Sequence, residues 1–308
     1  MNHPTHAAPA REGLVYLELF VLGAIWGGSF LFMRVAAPVF GAAPLVELRL
    51  ACGALVLLPF LWPARRALTG RWPLLAAIGL LNSALPFLLF AWAAARAPAG
   101  IGAIANSMTA LFAVLVGWWM FGEHIGARRS LGLLAGMVGV VVLVGAPSAG
   151  MDIGWAATAG VAGALCYAIA ANLVRRHLAG LPSTALAAAT LVCSTLLVAP
   201  LAAWQWPRTT PSAAAWLSAL LLGVLCTGIA YAFYFRLLER IGPTRAATVT
   251  YLVPLFGVGW AWALLGEPLT PPMAIAGLFI LGGVALSQSA VRRRPPKDEL
   301  ALCQRADG

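Results

Sequence analysis

The segment "ELRLACGALVLLP" sets Glu47 and Arg49 two residues apart in a run that carries no other charge. Two roles are open to this acid and base. In one, Arg49 is a cavity cation for a substrate carboxylate and Glu47 a site for a proton or a substrate amine. In the other, both stand near the outer end of a membrane helix, Glu47 favoured by the helix N-terminus and Arg49 snorkelling toward the headgroups. Residues two apart on a helix point to different sides, so the pair does not satisfy itself. Glu18, near the start of the first apolar run, reads as interfacial, with proton coupling as its alternative role.

Uncharged polar and aromatic residues recur inside the apolar runs: Trp26, Ser29 and Phe30, then Asn82, Asn106, Tyr167, Tyr231, Tyr234, Thr250 and Tyr251. They are candidates for lining a substrate cavity. The competing role is helix packing, since Ser, Thr and Asn also join membrane helices and aromatic rings populate the interfaces.

Other chemistries lack their residues. The four histidines, His3, His6, His124 and His177, lie in tails or at span ends, and the five cysteines show no ligand spacing, so no metal site is expected. No GxxxxGK[ST] run occurs, which argues against direct ATP drive. No catalytic residue and no cofactor are expected, and the chain reads as a non-enzyme. The net charge of +10 comes from residues placed between or after the apolar runs, without a basic stripe, so nucleic acid is not an expected partner. The C-terminal "RRRPPK" reads as a flank attracted to anionic lipid.

The elements that must position these side chains follow from composition. With 61% hydrophobic and 10% charged residues and a mean hydropathy of +0.88, the chain fits an all-α integral membrane protein. Polar and Pro/Gly punctuation divides it into ten spans, near 14–35, 43–62, 72–95, 99–121, 129–146, 153–174, 183–204, 213–238, 243–265 and 271–290. Each covers about 30 Å of hydrocarbon as a helix. The run from Leu14 to Phe32 is long for a signal-peptide core and reads as the first span. With both termini cytoplasmic, sixteen of the twenty basic residues fall inside, while Arg34, Arg96 and Arg208 fall outside and Arg49 within a span.

The chain also repeats. An offset of 144 places Arg96 on Arg240, Trp118 on Trp262, Gly122 on Gly266 and Glu123 on Glu267. An offset of 141 places "WGGSFLFMR" on "YAIAANLVR". The repeat makes two five-helix halves, 14–146 and 153–290, between tails 1–13 and 291–308. Five is odd, so the second half enters the membrane inverted, an arrangement that puts a binding cavity between the halves and lets them rock around it. The recurring "GE" closes the fourth helix of each half, Glu123 at the cytoplasmic face and Glu267 at the outer one. Each glutamate is expected to reach the free N–H groups of the helix that follows and to serve structure or gating. Gly132 and Gly136 give helix five GxxxG spacing, which favours packing within the bundle over dimerisation and leaves monomer and homodimer both open.

Ten spans in tandem halves, "AIWGGSFLFMRVA" in helix one, "ELRLACGALVLLP" in helix two and "GE" before the last helix of each half together resemble the EamA branch of the drug/metabolite transporter superfamily. The resemblance covers almost the whole chain. It implies a multi-pass protein of a bacterial-type inner membrane with cytoplasmic termini. Such proteins commonly export amino acids or other small metabolites; with the rocking of inverted halves this becomes alternating access, driven by coupled protons or by the substrate's own gradient. The alternative is a non-transporting membrane sensor or interaction partner that retains the fold. One departure is local: helix nine carries Pro254, whereas helix four has Ala110, so a weaker bend is expected in the first half.

Overall fold

The computed structural model describes residues 9–145 and 152–289. The basic run from Arg292 to Lys297, Cys303 and most of the N-terminal tail lie outside the described residues. Ten spans run in chain order: α1 Pro9–Phe40, α2 Ala42–Leu68, α3 Trp72–Ala94, α4 Ala99–Phe121, α5 Ala127–Val144, α6 Ile153–His177, α7 Ser183–Trp204, α8 Ala213–Ile241, α9 Val249–Leu265 and α10 Pro271–Ser289. Nine are long and apolar enough to cross a membrane, and α9 is a shorter apolar helix preceded by a turn of helix at Pro243–Ala246. The described residues are all-α, and five spans per half make the two repeats antiparallel.

Four spans are interrupted. In α3 and α8 the third helix of each half widens into π geometry, over Leu80–Ala84 and Leu221–Ile229. Such segments free backbone groups inside a helix and are common at functional sites. The fourth helix of the first half breaks at Ser107, where the Thr109 hydroxyl donates to the Asn106 carbonyl at 2.8 Å. The fourth helix of each half is thus interrupted, at Ser107 in the first and at Ala247–Thr248 in the second, and neither break stands at a proline. Pro254 itself is buried within α9, below the break at Ala247–Thr248.

Gly122 and Gly266 both take the left-handed conformation, with φ of 67° and 65°. This lets the chain turn back, so that Glu123 N–H reaches the Gly117 carbonyl and Glu267 N–H that of Ala261. The repeated glycine is thus a helix stop, and the glutamate after it is aimed by that stop.

Two close approaches fix the bundle. A Cβ on Gly132 would lie 2.5 Å from the Gly283 carbonyl oxygen, so the GxxxG face of α5 is already occupied by α10. A Cβ on Gly223 would lie 2.6 Å from Cys52 Cβ and 3.2 Å from Arg49 Cα, so this glycine lets α8 press against α2 at Arg49. The core between the halves continues around that point through Phe30, Met33, Leu50, Phe87, Phe90, Leu191 and Cys226.

Candidate functional site

Arg49 is 6% exposed and does not snorkel. Its Nε–H donates to Thr227 Oγ1 at 2.9 Å, Nη1 approaches the Met33 sulfur at 3.7 Å, and the guanidinium carbon stands 3.5 Å from the centroid of Phe87. The ionisable side chains that act on it are Tyr167, Tyr231 and Cys226, none anionic at neutral pH. A guanidinium has five donors. Here one hydroxyl, one thioether and one ring are its partners, and among the described residues no carboxylate pairs with it. Burying a cation in a membrane centre costs about 2.5 to 3.5 kcal/mol on insertion scales. The arrangement leaves that cost without an internal anion.

The π segment of α8 supplies the hydroxyl. Thr227 donates to the Leu222 carbonyl, five residues back, at 2.9 Å, and accepts from Arg49. At the 144 offset its counterpart is Ser83 in the π segment of α3, whose buried hydroxyl has no hydrogen-bond partner. At the 141 offset the counterpart of Arg49 is Thr190, which spends its hydroxyl on the Leu186 and Ala187 carbonyls of its own helix. One half therefore carries the cation and the other does not.

Around it stand two matched aromatic triads. Trp26 on α1 meets Tyr231 and Tyr234 on α8, at centroid distances of 6.3 and 5.1 Å. Tyr167 on α6 meets Phe87 and Phe90 on α3, at 6.4 and 6.0 Å. The repeat relates them position by position, Trp26 to Tyr167 at 141, Phe87 to Tyr231 and Phe90 to Tyr234 at 144. Each triad joins the first helix of one half to the third helix of the other. Phe30 extends the second triad through Phe90 at 5.7 Å, and the buried Ser29 hydroxyl lies one residue away, beside the Cys226 thiol.

The two ends of the bundle carry a second matched pair. At one end Glu267 accepts from Arg34 Nε at 2.9 Å and from the Ala99 N–H, at the start of α4, at 2.8 Å; Arg34 also donates to the Ala94 carbonyl. At the other end Glu123 pairs with Arg175 at 2.7 Å, and Arg175 donates to Asn172 Oδ1 at 2.6 Å. Arg34 and Arg175 correspond at 141, as do the glutamates at 144. Each glutamate thus binds across the halves, to the first helix of the other repeat, and not to the following helix as the sequence suggested. The turn after the left-handed glycine aims it there. The two are unequal: the Glu267 side chain is 14% exposed and the Glu123 side chain 40%. Pro243, the counterpart of Ala99, has no N–H to offer, and a groove of about 440 Å³ lined by Trp118, Glu123, His124 and Ser130 opens beside the Glu123 pair.

The remaining sequence candidates are dispersed. Glu18 is bound through both carboxylate oxygens to Arg240 on α8, which ties α1 to α8 near their ends. Glu47 is half-buried, and one carboxylate oxygen is buried without a partner. Asn82 and Asn106 are half-buried and make no hydrogen bond with the Arg49 cluster. Tyr251 packs against a separate cluster, built largely from α4, α6 and α10. Thr250 is exposed and bonds back to the Ala247 carbonyl, away from the centre.

Phe87, Phe90, Met33 and Thr227 are the site residues that residue type alone does not reveal: the first three are apolar side chains among many alike, and Thr227 is one hydroxyl among several in the spans. Carrying the 144 offset ten residues upstream of Arg96 and Arg240 does find the two phenylalanines, opposite Tyr231 and Tyr234.

A model of the EamA-like transporter family matches this chain twice, over residues 13–145 and 154–288. A protein of Salmonella typhimurium named a probable amino-acid metabolite efflux pump is 26% identical over 91% of this chain and 96% of its own length. A probable terminal-alkyne amino-acid exporter of Streptantibioticus cattleyicolor is 25% identical over 87% and 92%. One solved crystal structure shares the fold at a TM-score of 0.64, with 21% identity, covering 92% of this chain and 98% of the other.

Proposed function

The chain belongs to the EamA-like transporter family, and from that premise we propose that it exports small amphipathic metabolites by alternating access around Arg49 and its two aromatic triads. The observation that carries this reading is the buried guanidinium without a counter-anion at the junction of the halves. A cation held there is stabilised when an anionic group arrives, and the rings supply apolar surface for the rest of the molecule.

The matched ion pairs are the proposed gates. With the positive-inside orientation, Arg34–Glu267 closes the outer face and Arg175–Glu123 the cytoplasmic one. Rocking of the inverted halves breaks one while the other holds. The outer pair is more buried and has an additional charge-assisted bond from Ala99 N–H, so it is the stronger closure. A weaker cytoplasmic gate biases the empty carrier toward loading from inside, which supports export. The relatives named as exporters agree with that direction. Glu47, with one buried unpartnered oxygen, is the proposed proton carrier, whereas Glu18 serves as a tether to Arg240.

The test is a comparison of metabolites in medium and cells with the protein absent, overproduced, or overproduced as Arg49→Gln. A small carboxylate enriched in the medium by the wild type and lost with Arg49→Gln supports the reading. Equal efflux by the variant, at equal membrane abundance, contradicts it.

A further inference from the structure

We infer that the site selects organic monocarboxylates with an apolar body and no free α-ammonium group, in preference to the corresponding amino acids. This rests on the proposed reading of Arg49 as the substrate-binding cation.

The inference comes from the charges that face the site. Arg49 contributes one positive charge, buried at 6% exposure. Its Nη groups keep donors that Met33 does not satisfy, and a carboxylate is the anion that a guanidinium edge binds through two parallel hydrogen bonds. Among the described residues nothing opposite supplies a negative charge for an ammonium. Glu18 is engaged by Arg240, Glu123 by Arg175 and Glu267 by Arg34, all toward the ends of the bundle. Glu47 leaves α2 on a different side from Arg49 and forms no ion pair among the described residues.

The surrounding polar atoms are hydroxyls and a thiol, from Ser29, Thr227, Tyr167, Tyr231 and Cys226. An amino acid's ammonium would enter within a few ångströms of the guanidinium with neutral hydroxyls and ring faces to receive it, and no carboxylate among the described residues. A cation–π contact there recovers only part of the cost of desolvating the ammonium. A monocarboxylate leaves the filled site neutral, and a zwitterion leaves it at +1. A dianionic phosphate would leave a net negative charge, with no second cation to meet it. The asymmetry of the repeat points the same way: Thr190 stands at the counterpart of Arg49, so the site holds one cation and not two.

The experiment measures dissociation constants by calorimetry on the full-length protein in detergent. Three matched probe pairs are used: 3-phenylpropionate and L-phenylalanine, 4-methylpentanoate and L-leucine, pentanoate and L-norvaline. At least one acid is expected to bind about tenfold or more tightly than its amino-acid partner. Arg49→Gln is expected to weaken that acid at least tenfold and to level the pair, while Arg49→Lys, which keeps the charge, retains the preference with lower affinity. If Arg49→Gln does not fold, the Arg49→Lys result decides. An amino acid bound as tightly as its acid, with binding still lost in Arg49→Gln, overturns the substrate class and leaves the Arg49 site standing. Binding of any probe that is unchanged in Arg49→Gln overturns both, as does the failure of all three acids to bind.

Discussion

Arg49 is costly where it stands, and that cost separates a binding role from a structural one. If the guanidinium held helices together, its loss would unfold the protein. Because it lacks an anion, replacing it with methionine removes an uncompensated buried charge and keeps the apolar stem. Arg49→Met is expected to melt at or above the wild-type temperature in detergent while transport falls at least tenfold; a large drop in melting temperature contradicts the account. A second prediction uses the inequality of the halves. Thr227→Val removes the acceptor of Arg49 Nε–H and should lower transport several-fold, whereas Ser83→Ala, at the matching position, should leave it near wild type. Transport assays of the two variants at equal abundance check this. Arg49 was legible in the sequence as a base inside a span, but its depth was not, because snorkelling and burial leave the same mark on a sequence. Phe87 was illegible for a different reason. In "ALPFLLF" nothing distinguishes a ring that faces a cation from one that faces lipid.

Among the elements, the recurring "GE" was readable, and its partner was not. Helix-end chemistry pointed each glutamate at the next helix, because that is the nearest free N–H in sequence. The left-handed glycine turns it instead toward the first helix of the other half, a contact that only the inverted assembly creates. The π segments were equally hidden, since no residue type marks them, although their positions agree across the repeat. The glycine face of α5 offers a direct test of packing. Gly132→Leu would drive a side chain into the Gly283 backbone, and loss of about 2 kcal/mol or more of stability is expected. Measured thermal unfolding should show it, and an unchanged melting temperature would mean that α5 and α10 do not meet there. Gly266→Ala, which forces an alanine into the left-handed region, should cost about 1 to 2 kcal/mol by the same measurement.

At the scale of the whole molecule, ten spans and two halves followed from hydropathy, punctuation and one offset, because membrane helices must be long, apolar and internally hydrogen-bonded. What a single sequence offset does not convey is that the halves interlock, each lending its first helix to the other's third helix and to the ion pair of its repeated glutamate. The central claim is that one site, between the triads, is opened alternately past two unequal ion pairs. Cys226 reports on it: its thiol is fully buried, donates to the Ile25 carbonyl at 3.3 Å and neighbours Arg49. The decisive measurement is the rate at which a membrane-impermeant maleimide labels Cys226 from each side, in protein whose other cysteines are replaced. Glu267→Gln is expected to raise labelling from outside several-fold and lower it from the cytoplasm, and Glu123→Gln to do the reverse by a smaller factor. Equal labelling from both sides in wild type and both variants would contradict the account.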